Sequence, residues 1–265
     1  MNQNSLLKLE SVGKTYSSEA GLNINVLEDI NFEIFSSESG TITSILSPFG
    51  EGKSTLLKII SGLIEPTSGK IYFNSSEKKK IIPLIPENPS SFPWLSVKKN
   101  IEFGLNLSEE KKYTLDDLIS IVGLKGYEDH IPHNKSLGFR FRISLARALA
   151  LNPSLILIDD SLKQMNKESR EEIYFLLNEI SSHQKQSRPI GIILATTNLV
   201  EAIKLSTKII LMSKNPGRII REIEIDKSDK PQLNDYRSEK FTMLKNEIEN
   251  AFESLESLTT INYSL

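Results

Sequence analysis

The sequence contains no cysteine, one tryptophan and three histidines, and its 32 basic residues are nearly matched by 34 acidic ones. The missing cysteines exclude disulfides, thiolate metal sites and a cysteine nucleophile. A formal net charge of −2 argues against a dedicated nucleic-acid binder, which needs a basic footprint. No apolar run approaches the ~20 residues of a membrane-spanning helix. The opening stretch MNQNSLLKLESVGKTY alternates polar and apolar residues without a basic segment followed by an apolar one, so no signal peptide is expected. If such a chain works at a membrane, a partner is expected to hold it there.

What is present is the composition of a soluble globular protein. Over 265 residues, 38% are hydrophobic and 25% charged, enough for a sizeable core in one or two domains. Leu6–Val12, Val26–Ile34 and Thr41–Leu46 read as strands. Leu155–Ile158, Ile190–Ala195 and Lys208–Met212 read as buried strands. Helical spacing follows Thr41–Leu46, with apolar positions at Leu56, Leu57, Ile60 and Leu63 and a stop at Glu65-Pro66. Val97–Asp129 reads as mainly helical. Leu137–Leu151 reads as a helix with a basic face (Arg140, Arg142, Arg147), and Glu168–Ile180 as another helix. Ile81–Leu95, with four prolines, reads as a loop. Alternating strands and helices argue for a mostly parallel sheet covered by helices.

Between the TITSIL strand and the first helix lies SPFGEGKST. This fits the phosphate-loop rule G-x-x-x-x-G-K-[ST] everywhere except the first position, where Ser47 stands for glycine. Pro48, Phe49, Gly50, Glu51 and Gly52 would form the loop, with the glycines placed so that backbone N–H groups can curl around phosphate oxygens. Lys53 would reach the β- and γ-phosphates, the Ser54 hydroxyl would ligate Mg²⁺, and Thr55 continues the helix whose positive dipole end faces the anion. A serine at position 47 is unstrained only if its φ is negative.

Several segments in order carry a resemblance to the ATPases of ABC transporters, and among them to the taurine, nitrate and sulfonate importer type: PWLSVKKNIEFGL, IVGLKGYEDHIPHN, SLARALALNPSLILIDD and MSKNPGRI. The resemblance implies an α/β P-loop NTPase of ABC ATPase type, with a mostly parallel sheet flanked by helices, an inserted helical subdomain and an antiparallel N-terminal β region. It places a nucleotide-binding domain at 1–225, the helical subdomain at 91–136 within it, and a helical extension at 226–265. It implies ATP and Mg²⁺ as cofactors. Tyr16 falls where a ring stacks on adenine, although a surface tyrosine at a strand end reads as well. Glu87 falls at the Q-loop glutamine, Asp159 at the Walker B aspartate that orients Mg²⁺, Asp160 at the catalytic glutamate and Thr197 at the switch histidine. The metal set would be Ser54, Glu87 and Asp159. Asp159-Asp160 also reads as a helix-capping pair.

Ser136, Leu137 and Gly138 occupy the signature motif that contacts ATP across a dimer. Leu137 stands where the family keeps glycine, and Ser136 reads equally as a plain helix cap. Asn166 replaces the D-loop aspartate. Asp160 is one methylene shorter than glutamate, and Thr197 cannot be cationic. The resemblance therefore implies weak hydrolysis by an importer subunit moving a small solute, with a catalytically inactive regulatory or scaffolding subunit as the alternative. The partners implied are transmembrane permease subunits, a substrate-binding protein and a second ATPase subunit as homodimer or heterodimer, with no nucleic acid. The location implied is peripheral, on the cytoplasmic face of the plasma (inner) membrane. Trp94 reads either as part of the permease-docking surface or as a core residue.

Overall fold

The computed structural model describes residues 5–19, 21–36, 40–47, 52–73, 81–89, 91–182 and 189–261, the last seven by their backbone alone. Two sheets organise them. Strands β1 (Ser5–Ser17), β2 (Asn23–Phe35) and β4 (Ser68–Phe73) form an antiparallel sheet in the order β2-β1-β4. Six strands form the second sheet: β3 (Thr41–Leu46), β5 (Leu84–Ile85), β6 (Leu155–Asp159), β7 (Gly191–Thr196), β8 (Lys208–Met212) and β9 (Ile219–Glu224). Their order is β5-β6-β7-β3-β8-β9, parallel except for the β8-β9 edge. This is the α/β architecture with an antiparallel N-terminal region that the sequence implies.

The central strands are buried on both faces, which is why β6, β7 and β8 read as near-continuous apolar runs. Along β6 and β7 the pleat sends Leu155, Leu157, Ile193 and Ala195 to one core, and Ile156, Ile158, Ile192 and Leu194 to another. The first core is closed by α1 (Lys53–Ile60), whose Leu56, Leu57, Ile59 and Ile60 lie between the two sheets. The second is closed by α2 (Val97–Leu107), α3 (Leu115–Ile121), α4 (Leu137–Ala150) and α5 (Lys167–Ser182). Each start follows local chemistry. Ser96 caps α2, Thr114 and Asp117 form a capping box on α3, and Ser136 caps α4. The basic face of α4 is partly internal: Arg142 donates to the Val122 carbonyl and to Glu172, each at 2.8 Å.

A third core lies at the β8-β9 edge. Here α6 (Leu199–Leu205) meets the tail, which runs through a 3-10 turn (Lys227–Asp229), α7 (Lys230–Leu233) and α8 (Glu239–Ile261). Leu233, Phe241 and Ile248 are buried against Ala202, Ile203, Ile209 and Leu211. Half-buried Lys230 donates to the carbonyls of Ile203 and Lys204, 3.0 Å each, at the end of α6.

One expectation is corrected, and of the two readings of Trp94 one is removed. The first helix stops at Ile60, because Gly62 turns left-handed at φ +74. Leu63 consequently lies outside it and is 66% exposed. Trp94 is not a core residue: it is 71% exposed. Its loop is tied down by the buried Asn100, which donates to Phe92 O, Leu95 O and Ser96 O and accepts from Phe92 N–H.

Candidate functional site

The loop from β3 to α1 ends on Gly52, at φ +91. A Cβ there would come within 3.1 Å of Leu27 and 3.3 Å of Met212, so both conformation and space call for glycine. Lys53 follows as the first residue of α1. It is 1% exposed, and its Nζ donates to the Ser47 carbonyl at 3.1 Å. Burial pushes its pKa down, while Asp160 and Asp159 pull it back up. Ser47 is not among the described non-glycine residues with positive φ, so serine sits at the head of the loop without backbone strain. Its hydroxyl is buried and without a hydrogen-bond partner among the described residues. Pro48, Phe49, Gly50 and Glu51 lie outside the described residues. Thr55 is half-buried on the first turn of α1.

Parallel pairing of β6 with β7 sets Asp159 opposite Ala195 and so brings two strand ends to the mouth of this loop. The Ser54 hydroxyl donates to Asp159 Oδ1 at 3.0 Å. Burial raises the Asp159 pKa. The Ser54 hydrogen bond opposes that rise, and the charge of Glu87 adds to it. Asp160 turns left-handed, φ +46, a conformation aspartate tolerates better than most residues. Its N–H donates to the Ala195 carbonyl at 2.9 Å. Burial raises its pKa too, against the charges of Lys163 and Lys53 and a hydrogen bond from the Thr197 backbone. Asp160 Oδ2 lies 3.9 Å from Lys163 Nζ. Oδ1 is buried with no hydrogen-bond partner among the described residues. Glu87 is exposed, on a segment held to the same turn by a 2.7 Å hydrogen bond from Ser161 Oγ to Pro86 O.

Lys53, Ser54, Asp159, Asp160, Thr197 and Glu87 thus converge on one mouth. Asp159 and Asp160 are not a capping pair, since the helix that follows is capped by Asn166, which accepts from Ser169 N–H at 2.9 Å. Tyr16 is at the exposed end of β1, with Lys14 Nζ 5.1 Å from its ring centre. Ser136 accepts from Phe139 N–H at 3.2 Å. Leu137 packs at the edge of the helical core, and a Cβ on Gly138 would come 3.3 Å from Ser169 Cβ. No described contact joins Ser136, Leu137 or Gly138 to the convergent group.

Glu201 escaped the sequence reading. It sits on the first turn of α6, 1% exposed. Tyr174 OH lies 3.5 Å from one carboxyl oxygen, and the other oxygen has no hydrogen-bond partner among the described residues. Burial, reinforced by the charge of Asp160, raises its pKa to about 8. Its sequence signal was its place four residues after Thr197, which carries no meaning until α6 is known to pack behind the site.

A phosphate-type loop between a parallel strand and a helix, facing a carboxylate at a neighbouring strand end, defines a nucleotide-binding α/β protein. Residues 27–163 match the family described as ABC transporter. The aliphatic sulfonates import ATP-binding protein SsuB of Bacillus cereus is 32% identical over 93% of this chain and 96% of its own length. The taurine import ATP-binding protein TauB of Roseobacter denitrificans is 29% identical over 84% and 83%. A solved dimeric ATP-binding cassette in a post-hydrolysis state, bound to ADP and Pi, superposes with a TM-score of 0.66 at 23% identity, over 83% of this chain and 99% of that one. The chain belongs to the ABC transporter family, as an ATP-binding subunit of the ATP-hydrolysing class. Among the described residues no helix is long and apolar enough to cross a membrane.

Proposed function

We propose that this chain binds MgATP at the mouth formed by Lys53, Ser54, Asp159, Asp160, Thr197 and Glu87, and hydrolyses it slowly to drive import of a small anion of the sulfonate, taurine or nitrate kind. The observation that carries the reading is the 3.0 Å contact between Ser54 Oγ and Asp159 Oδ1, with Lys53 buried beside them. The donors suit Mg²⁺, a hard cation that takes oxygen ligands and keeps waters and phosphates around it. Ser54 and Asp159 would hold it, with Glu87 at the rim, and bound Mg²⁺ would neutralise phosphate charge. Tyr16 would cover the adenine, and residues 47–55 would wrap the phosphates. Nucleotide binding draws on backbone amides and Lys53. Turnover draws in addition on Asp160, whose carboxylate is short, and Thr197, which carries no charge.

Ser136, Leu137 and Gly138 would meet the nucleotide of a second subunit in a dimer, where Leu137 crowds the phosphate. The exposed Trp94, tilted against Phe92 with ring centres 5.7 Å apart, supports docking of a permease subunit on the 91–136 region. A substrate-binding protein would deliver the solute, and attachment through the permease would place the chain on the cytoplasmic face of the membrane. Residues 1–225 would form the nucleotide-binding domain and 226–265 an extension of it.

The test is ATP binding measured beside ATP hydrolysis in the parent, Lys53→Ala and Asp160→Asn. The reading expects binding in the parent, its loss in Lys53→Ala, and slow hydrolysis that Asp160→Asn abolishes. Binding without any hydrolysis would favour the inactive regulatory subunit. Turnover as fast as that of family members with glutamate and histidine at these positions would refute the claim of slow catalysis.

A further inference from the structure

We propose that Lys163 is a second cation of the nucleotide site, bridging the Asp160 carboxylate and the terminal phosphate of bound ATP, so that the chain distinguishes ATP from ADP. The inference rests on the ATP-site reading above.

Asp160 and Lys163 stand at the ends of one turn, closed by a hydrogen bond from the Lys163 N–H to the Asp160 carbonyl at 3.3 Å. Both flanks of that turn are anchored. Ser161, Leu162 and Met165 are buried, and Ser161 Oγ is tied to Pro86 O. The backbone of Lys163 is therefore fixed while its side chain remains 55% exposed, with Nζ 3.9 Å from Asp160 Oδ2. Its charge is felt at Lys53 as well as at Asp160, so it lies within electrostatic reach of the group that would hold the β- and γ-phosphates.

The charge balance gives this position a task. Asp159, Asp160 and Glu87 present three carboxylates to the mouth, and Lys53 is the buried cation among them. A triphosphate adds further negative charge, and position 197 holds an uncharged threonine. An ion pair at this distance with one half-exposed partner is weak in water. The ammonium, with three donors on a flexible stem, can keep Asp160 and add a phosphate oxygen at small cost. Asp160 falls at the family's catalytic carboxylate, which acts at the last phosphate, so an ammonium held 3.9 Å from it would reach the phosphate that ADP lacks.

The experiment uses the full chain with Mg²⁺ and measures ATP and ADP affinities by calorimetry in the parent, Lys163→Gln and Lys163→Arg. Lys163→Gln should weaken ATP by about fivefold or more and ADP by less than about twofold, and Lys163→Arg should restore the preference, since a charge-assisted contact survives that exchange. Rising salt should erode the parent's preference for ATP and leave that of Lys163→Gln unchanged. Equal weakening of both nucleotides, or of neither, overturns the inference while leaving the ATP site standing. A parent that binds neither nucleotide overturns the site reading and this inference together. Thermal unfolding of each variant checks the fold. A Lys163→Gln chain that unfolds beside a stable Lys163→Arg chain lacking ATP preference also overturns it.

Discussion

The Ser54 hydroxyl meets the Asp159 carboxylate at 3.0 Å across 105 residues of sequence, joining the start of α1 to the end of β6. The fold makes this contact by placing β6, β7 and β3 side by side in parallel register, so that their C-terminal ends open on one side. Asp159→Asn should therefore weaken nucleotide binding by about 10-fold or more in the presence of Mg²⁺, in the range seen when groups that position a metal are lost. It should have little effect in chelator. Calorimetry with and without Mg²⁺ separates the two.

Glu201 gives a pH signature. Its folded pKa of about 8 stands above the ordinary value of 4.5, so between those values the unfolded chain has released a proton that the folded chain retains. Stability then falls as pH rises from about 4.5 to 8. Glu201→Gln keeps a neutral, hydrogen-bonding group in the same space and should remove that fall, gaining on the order of a few kcal/mol at pH 8 and little at pH 4.5. Urea midpoints of parent and variant across that range check it. A variant whose profile parallels the parent's would contradict a buried neutral acid.

Lys230 should act in the opposite sense. Burial, assisted by Lys227, lowers its pKa from 10.5 to about 7. Between those values the unfolded chain holds a proton that the folded chain has lost, and stability rises with pH. Lys230→Met should flatten the profile above pH 7 and loosen the tail from α6, because the carbonyls of Ile203 and Lys204 lose their donor. Amide exchange in α6 and α8, compared with the parent, reads the second effect.

Gly52→Ala should lose nucleotide binding and cost on the order of 1–3 kcal/mol in stability, since an alanine at φ +91 is strained and its methyl meets Leu27 and Met212. Denaturant unfolding together with ATP titration measures both. Unimpaired ATP affinity in a folded variant would show that the turn tolerates a side chain.

The strands legible in the sequence are those with a clear pattern: LILI and KIILM are apolar runs buried on both faces, and β1 and β2 alternate apolar and polar positions. The missed strands lie at edges. β9, with Glu222 and Glu224 outward and Ile223 inward, and β4, mostly exposed, lack an apolar run and are held by partners distant in sequence. In the sequence Gly62 reads as loosening α1 and Glu65-Pro66 as ending it, whereas the left-handed Gly62 already breaks the helix. For the site, the sequence named Lys53, Ser54, Asp159 and Asp160 by motif and by resemblance. It gave no hint of Glu201 or Lys163. Glu201 gains meaning from packing behind Asp160, and Lys163 from a turn that folds it back over the same carboxylate. Asn166 shows the reverse: noted as a departure from the family, it is the residue that caps α5.

Every role proposed for this chain depends on the mouth beside Lys53 holding a nucleotide. Titration of the full chain with ATP and Mg²⁺ in a calorimeter, beside Lys53→Ala, tests this most directly. Saturable uptake at a single site in the parent and its loss in Lys53→Ala are predicted. No uptake at about millimolar ATP, or equal uptake by both proteins, would contradict it, because a buried lysine facing two carboxylates would then serve the fold alone.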